Sequence, residues 1–307
     1  MRETCLDQVY ELAKKDERIF FIGSDLGVNT LKKFKEEMPR RFFMEGISEQ
    51  HVVGMASGFA LEGKIVYVNT ISTFLTRRCF EQVVVDACLH NLNVRLIGNG
   101  GGLVYAPLGP THLAIEDISI LRAVPNMTVV APADADEMRR LMPQTVDYPG
   151  PIYIRLAKGY DPVVTNDEVP FRIGKALPMR QGRDVLLVTT GITLKLAQKA
   201  AVTLAESGIS AAILHMPTVK PLDTDAFFEY ARPVRAVVTI EENTIIGGLG
   251  GAIAEIVAEA NFDPAKRFRR IGIPDVFPDK YGSQEQLMEH YRITSSEIVA
   301  TCHALLG

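Results

Sequence analysis

Short apolar runs alternate with segments of helical spacing along nearly the whole chain, and this alternation restricts the fold more than any other feature. Residues 19–22, 65–69, 94–97, 127–131 and 152–155 are apolar runs too short for a helix and predict buried strands. Between them the apolar spacing is helical. Val52, Met55, Ala56, Phe59 and Ala60 mark one face of a helix, and Leu6, Val9, Tyr10 and Ala13 mark another that Thr4 is placed to cap. Further helices are predicted over 73–90, 113–122 and 134–145. The stretch 158–182 then breaks the periodicity with Lys158-Gly159-Tyr160-Asp161-Pro162 and Glu168-Val169-Pro170. A second alternation follows, with strands expected at 184–188, 211–214, 236–240 and 268–271. Repeated strand and helix predict a parallel sheet covered on both faces. We therefore expect an α/β chain of two domains, each a mainly parallel sheet with helices on both faces. Their bounds are 1–165 and 183–307, with 166–182 as the linker, and a length of 307 residues suits two cores.

Composition narrows the classes of function. Hydrophobic residues at 47% and charged residues at 23% are those of a globular protein, and a net charge of -4 argues against nucleic acid as a partner. No apolar run reaches the eighteen residues of a membrane span, and the first residues, Met1-Arg2-Glu3-Thr4, lead into a charged amphipathic segment and not a secretory core. Cys5, Cys79, Cys88 and Cys302 form no C-x-x-C pair, which fits a reducing cytoplasm.

The stretch Met44-Glu45-Gly46-Ile47-Ser48-Glu49-Gln50-His51 places a carboxylate where an extended segment becomes a helix. Ser48 is the expected N-cap and Glu49 lies in the first turn. The helix N-terminus stabilises negative charge there, whereas burial opposes it. Gly23-Ser24-Asp25-Leu26-Gly27 follows the first strand, at the edge where open parallel sheets bind ligands, so Asp25 is either a ligand contact or an ordinary turn residue. In Ser72-Thr73-Phe74-Leu75-Thr76-Arg77-Arg78-Cys79-Phe80, the side chains of Phe74, Arg77 and Phe80 fall three apart, roughly on one side of a helix. They suit either a core face or stacking on a planar ring. The loop Gly98-Asn99-Gly100-Gly101-Gly102 allows backbone close to a ligand and runs on to Gly109-Pro110-Thr111-His112. It is not a P-loop, because no Gly-Lys-Ser/Thr follows. His112 brings an imidazole, a side chain suited to acid-base work, and Arg155, at the end of a strand, suits either a phosphate or an ion pair.

Glu49 in its Gly-Ile-Ser-Glu-Gln-His setting, then Ser72-Thr73-Phe74-Leu75, then Gly109-Pro110-Thr111-His112, resembles the pyrimidine-binding half of transketolases and of 1-deoxy-D-xylulose-5-phosphate synthase. In the second domain Lys220-Pro221-Leu222-Asp223, Glu241-Glu242-Asn243, Gly247-Gly248-Leu249-Gly250-Gly251 and Gly282-Ser283 resemble the C-terminal domain of the same enzymes. The resemblance implies dependence on thiamine diphosphate. It implies that Glu49 hydrogen-bonds the aminopyrimidine and drives it to the imino tautomer, that Asp25, Phe74, Arg77 and Phe80 line the cofactor pocket, that His112 lies over the reacting carbon, and that Arg155 holds a substrate phosphate. Arg77 matches the synthases more closely than the transketolases.

Three departures qualify what it implies. Leu108 stands where the family has an Asp that contacts sugar hydroxyls, and Gly100 stands where transketolases carry a further substrate-contacting His. The Gly-Asp-Gly motif that holds Mg2+ and the diphosphate is absent from the sequence. The expectation is therefore the small subunit of a split transketolase-like enzyme that transfers a two-carbon ketol unit between sugar-like substrates. A homodimer of this chain would join, in an α2β2 assembly, an N-terminal-half subunit that holds the Mg2+. The alternatives are a deoxyxylulose-phosphate-synthase-like carboligase, the beta subunit of a 2-oxo acid dehydrogenase, and a non-catalytic scaffolding subunit that keeps the fold.

Overall fold

The computed structural model describes residues 1–24, 31–157, 159, 161–165 and 169–307. Its strands are β1 Ile19–Gly23, β2 Phe42–Met44, β3 Ile65–Ile71, β4 Val94–Asn99, β5 Thr128–Val130, β6 Ile152–Leu156, β7 Leu177–Arg180, β8 Val185–Thr189, β9 Ala211–His215, β10 Thr218–Lys220, β11 Ala236–Thr244 and β12 Arg267–Ile273. They form a 7-stranded sheet in the order β10-β5-β6-β4-β3-β1-β2 and a 5-stranded sheet in the order β12-β11-β8-β9-β7. Each sheet is parallel except at one edge, where β10 pairs antiparallel with β5 and β7 antiparallel with β9. Both expected sheets are present, and all nine expected strands.

Side-chain alternation builds a core on each face of the first sheet. Ile65 and Tyr67 of β3 point into a cluster with Leu6, Val9 and Ala13 of the first helix and with Met138 and Leu141. Val66 and Val68 point the other way, toward Val52, Val53 and Ala56 of helix Glu49–Leu61. That second cluster continues without a break into Leu186, Val188, Leu214 and Val237 of the second sheet. The two halves of the chain thus share one apolar layer.

Several local expectations are corrected. The first helix starts at Arg2 with Met1 at its N-cap, so Thr4 lies inside it. Helix 113–122 is shortened to Asp117–Arg122, because residues 109–115 form an irregular loop. Helix 134–145 is helical at Ala135–Leu141 and tightens to a 3-10 turn at Met142–Thr145, where Pro143 lacks a donor. The long helix over 73–90 breaks into a π-helical turn, Phe74–Arg78, a short α segment, Phe80–Gln82, and a second π-helical turn, Val83–Cys88. β2, β7 and β10 are additional edge strands.

Candidate active site

The carboxyl ends of β1, β3 and β4 converge on a set of buried polar side chains, at the edge where a parallel sheet leaves room for ligands. The Ser24 hydroxyl, at the end of β1, donates to Thr70 Oγ1 at 2.8 Å, and Thr70 Oγ1 in turn lies 3.5 Å from Glu49 Oε1. Asn99, closing β4, donates to Asn69 Oδ1 at 2.6 Å and to the Thr70 carbonyl at 3.0 Å. Their mutual hydrogen bonds offset much of the cost of burying them. Asp25, the candidate in the loop beyond Ser24, lies outside the described residues.

Glu49 opens its helix as expected and is 1% exposed. Ser48 holds the N-cap position, but its hydroxyl donates back to the Glu45 carbonyl at 2.9 Å and caps nothing. The charge of Glu49 is met by Arg78, whose Nη1 donates to Oε2 at 2.7 Å. The same guanidinium sits 4.1 Å from the centre of the Phe74 ring, a cation–π contact. Phe74 meets His112 edge-on, with ring centres 5.1 Å apart, and Thr111 Oγ1 lies 2.9 Å from His112 Nδ1. Glu49, Arg78, Phe74 and His112 are therefore one contiguous group.

Sequence spacing gives no sign of Arg78 as a site residue and points to Arg77 in its place. A π-helical turn closes its hydrogen bonds from i to i+5, so it is wider than an α turn and offsets every later side chain. Over Phe74–Arg78 this places Arg78 beside Glu49. Arg77 points to the loop instead, where its Nη groups bond the carbonyls of Pro110 at 3.2 Å and Leu113 at 2.9 Å and its Nε pairs with Glu116. It fastens the segment that carries His112. Phe80, beyond the break at Cys79, is half-buried and packs against the core cluster.

The glycine-rich loop is tied down by both halves of the chain. Gly101 N–H donates to the Leu156 carbonyl and Gly102 N–H to the Ala114 carbonyl, each at 2.9 Å. Leu103 N–H donates to Glu242 Oε1 at 2.8 Å, and Gln284 Nε2 donates to the same oxygen at 2.7 Å. Burial pushes the carboxyl groups of Glu241 and Glu242 up to about 7 each. Gly100 has φ +74°, and a Cβ there would fall 2.1 Å from Cε2 of Tyr105, so the tyrosine ring fills the space a side chain at 100 would need. Tyr105 also meets His112 edge-on at 6.5 Å. Leu108 is 52% exposed, at the end of the 3-10 turn Ala106–Leu108.

Arg155 departs from its expected use. Its Nε donates to Asp117 Oδ2 at 2.8 Å and its Nη2 to Asp117 Oδ1 at 3.1 Å, to the Ala114 carbonyl at 3.0 Å and to the Glu242 carbonyl at 2.9 Å. Tyr153 adds a hydroxyl donor to Asp117 at 2.6 Å. With its side chain 7% exposed, Arg155 is a buried latch between the two halves, its Nε and Nη2 committed within the protein. The buried Asp117 38 positions earlier, which commits this arginine, has no sequence signature.

Among the described residues no group of three or more His, Cys, Asp or Glu side chains is placed to hold a metal ion, and no helix is long and apolar enough to cross a membrane. A buried carboxylate beside an aromatic face and a histidine fits a flat nitrogen heterocycle able to hydrogen-bond at its edge. Thr73 Oγ1, next to Phe74 in the chain, is buried with no hydrogen-bond partner among the described residues.

Comparison with known proteins identifies the family. The family model for the transketolase pyrimidine binding domain matches residues 1–160, and that for the transketolase C-terminal domain matches residues 174–298. The chain is 37% identical over 99% of its length to the 6-deoxy-6-sulfo-D-fructose transketolase subunit SqwH of Clostridium sp. (strain MSTE9), covering 93% of that protein. It is 37% identical over 98% of its length to a subunit of the apulose-4-phosphate transketolase of Phocaeicola vulgatus, covering 95% of it. Its 38% identity to 1-deoxy-D-xylulose-5-phosphate synthase 1 of Geobacter sulfurreducens extends over 98% of the chain but only 47% of that enzyme. Among solved structures, a split gene transketolase described as an inactive beta4 tetramer superposes with a TM-score of 0.91 at 34% identity, over 99% of this chain and 97% of that one. On its matched domains, its full-length relatives and its superposed fold, the chain belongs to the transketolase family.

Proposed function

We propose that this chain is the small subunit of a split, thiamine-diphosphate-dependent transketolase that moves a two-carbon ketol unit between sugar-like substrates. The observation that carries the reading is the buried Glu49 carboxylate, held beside Phe74 and His112 at the carboxyl edge of a parallel sheet. When bound, thiamine diphosphate supplies the thiazolium carbon to which the ketol unit is attached. Glu49 would hydrogen-bond the ring nitrogen of the aminopyrimidine and share a proton with it, which would favour the imino tautomer able to take up the thiazolium proton. Phe74 offers its ring to the pyrimidine and keeps water from it. His112, oriented by Thr111, holds or gives a proton at a substrate oxygen.

The partner is a subunit carrying the diphosphate half and its Mg2+, since this sequence has no Gly-Asp-Gly. Relatives named as transketolase subunits support it, and an α2β2 complex in the cytoplasm is the form we infer. Four buried, free cysteines are in keeping with that compartment. The substrates would be narrowed by Tyr105, whose ring lies over Gly100 and edge-on to His112, and by Leu108, which offers no hydrogen-bonding group. An acceptor less polar beside its carbonyl than an ordinary aldose phosphate suits these two side chains.

The test is proton exchange at the thiazolium carbon, followed by NMR in the complex reconstituted with the partner. Glu49→Gln is expected to slow it by about 100-fold or more, in line with general acid-base roles, while the melting temperature holds. An unchanged rate would reduce Glu49 to a helix-terminal charge and overturn the reading.

A further inference from the structure

We propose that Arg78 is a positioning residue for cofactor activation: it fixes Glu49 as an oriented anion by bridging its carboxylate to the face of Phe74. The inference rests on the cofactor reading above and concerns a residue that reading does not use. Glu49 is 1% exposed, and a carboxylate that deep is costly unless a cation is paired with it. Among the described residues the cation hydrogen-bonded to it is Arg78, at 2.7 Å. The contact engages Oε2 only, which leaves Oε1, 3.5 Å from Thr70 Oγ1, as the oxygen not held by a cation. The two carboxylate oxygens are thereby made unequal.

The other side of the guanidinium fixes where Arg78 itself can be. It is planar and weakly hydrated, so it rests on an aromatic face at little cost, and here it lies 4.1 Å above Phe74. Lysine would keep the charge but lose the flat contact. The side chain is 41% exposed and none of it belongs to the core, so its removal leaves packing in place. The π-helical turn Phe74–Arg78 is the backbone device that brings the bridge about, since it offsets Arg78 from Arg77 and separates their duties. Arg77 holds the loop of His112, and Arg78 holds Glu49.

The experiment uses the complex reconstituted with the partner subunit, thiamine diphosphate and Mg2+, with Arg78→Met, Arg78→Lys, Glu49→Gln and the double variant Glu49→Gln/Arg78→Met. Three quantities are read: thiamine diphosphate affinity by calorimetry, the circular-dichroism band of the bound imino tautomer, and the rate of thiazolium proton exchange. Arg78→Met is expected to weaken the imino band and slow exchange by about ten-fold or more, Arg78→Lys to recover part of both, and the double variant to be no slower than Glu49→Gln. That pattern shows that Arg78 acts through Glu49. If Arg78→Met exchanges at the wild-type rate with an unaltered band while Glu49→Gln abolishes both, the inference is overturned and the cofactor reading stands. If neither single variant changes exchange, both are overturned. Equal losses in Arg78→Met and Arg78→Lys accompanied by a lowered melting temperature would mark Arg78 as merely structural, against the inference.

Discussion

Single residues in this site are interpretable because each has a physical alternative that its neighbours remove. Leu108 is half-exposed on the loop that carries His112, so its side chain can be changed without disturbing the core. An Asp there would accept a hydrogen bond from an acceptor hydroxyl, which Leu cannot, and an unpaired polar group in a closed site costs about 1–3 kcal/mol. We expect wild type to prefer a 2-deoxyaldehyde over its 2-hydroxy counterpart in kcat/KM, and Leu108→Asp to shift that ratio by about ten-fold toward the hydroxylated one, a little over 1 kcal/mol. Competition between the two acceptors measures it. A ratio left unmoved would mean that Leu108 does not face the acceptor. Glu49 and His112 are readable one residue at a time because their short motifs are local. Arg155 is not, because what commits it, Asp117 and two carbonyls, comes from distant positions.

At the scale of elements, apolar runs announce the central strands because a strand covered on both faces must be apolar throughout. β7 and β10 lack that signature for the same reason, and β2, Phe42–Met44, carries it over only three residues. They are edge strands of three or four residues, and β7 contains Pro178, which a central strand would not tolerate. The irregular helix after β3 is hidden differently: its residues keep the apolar spacing of an α-helix, and the widened turns are a tertiary choice. The join between β6 and helix Asp117–Arg122 is held by a buried ion pair whose worth can be measured. Arg155→Met leaves the fully buried Asp117 without its cation, and breaking such a pair costs about 3–5 kcal/mol. Denaturant unfolding should show that loss. Removing both charges with Arg155→Met and Asp117→Leu should restore a good part of it, because the uncompensated charge, and not the lost attraction, is the larger cost. Equal destabilisation by single and double variants would contradict this.

For the whole molecule, the pair Glu241 and Glu242 sets the direction of pH dependence. Their folded-state pKa values stand near 7, raised from 4.5 by burial, so the folded state holds these protons more tightly than the unfolded chain does. Their contribution is complete below about pH 4.5 and is lost as pH rises through 7, an upper bound on the order of 3 kcal/mol each. We expect the melting temperature to drop between pH 5 and pH 8 on this account, and Glu242→Gln, which keeps an oxygen for Leu103 and Gln284, to flatten the drop. A slope unchanged in that variant would exclude Glu242 as its source. The antiparallel pairing of β10 with β5 reaches further. Residues 218–220, encoded after the second family segment has begun, complete the outer edge of the first sheet, with Ala131 N–H bonded to the Pro217 carbonyl at 2.7 Å. A fragment ending near residue 170 would therefore expose β5 as a naked edge and precipitate, while co-expression with the remainder should return it to solution, as a sedimentation assay would show. For recombination and gene fission this has a plain meaning. The two segments are expected to survive as one module, with a viable cut outside the pair rather than between them.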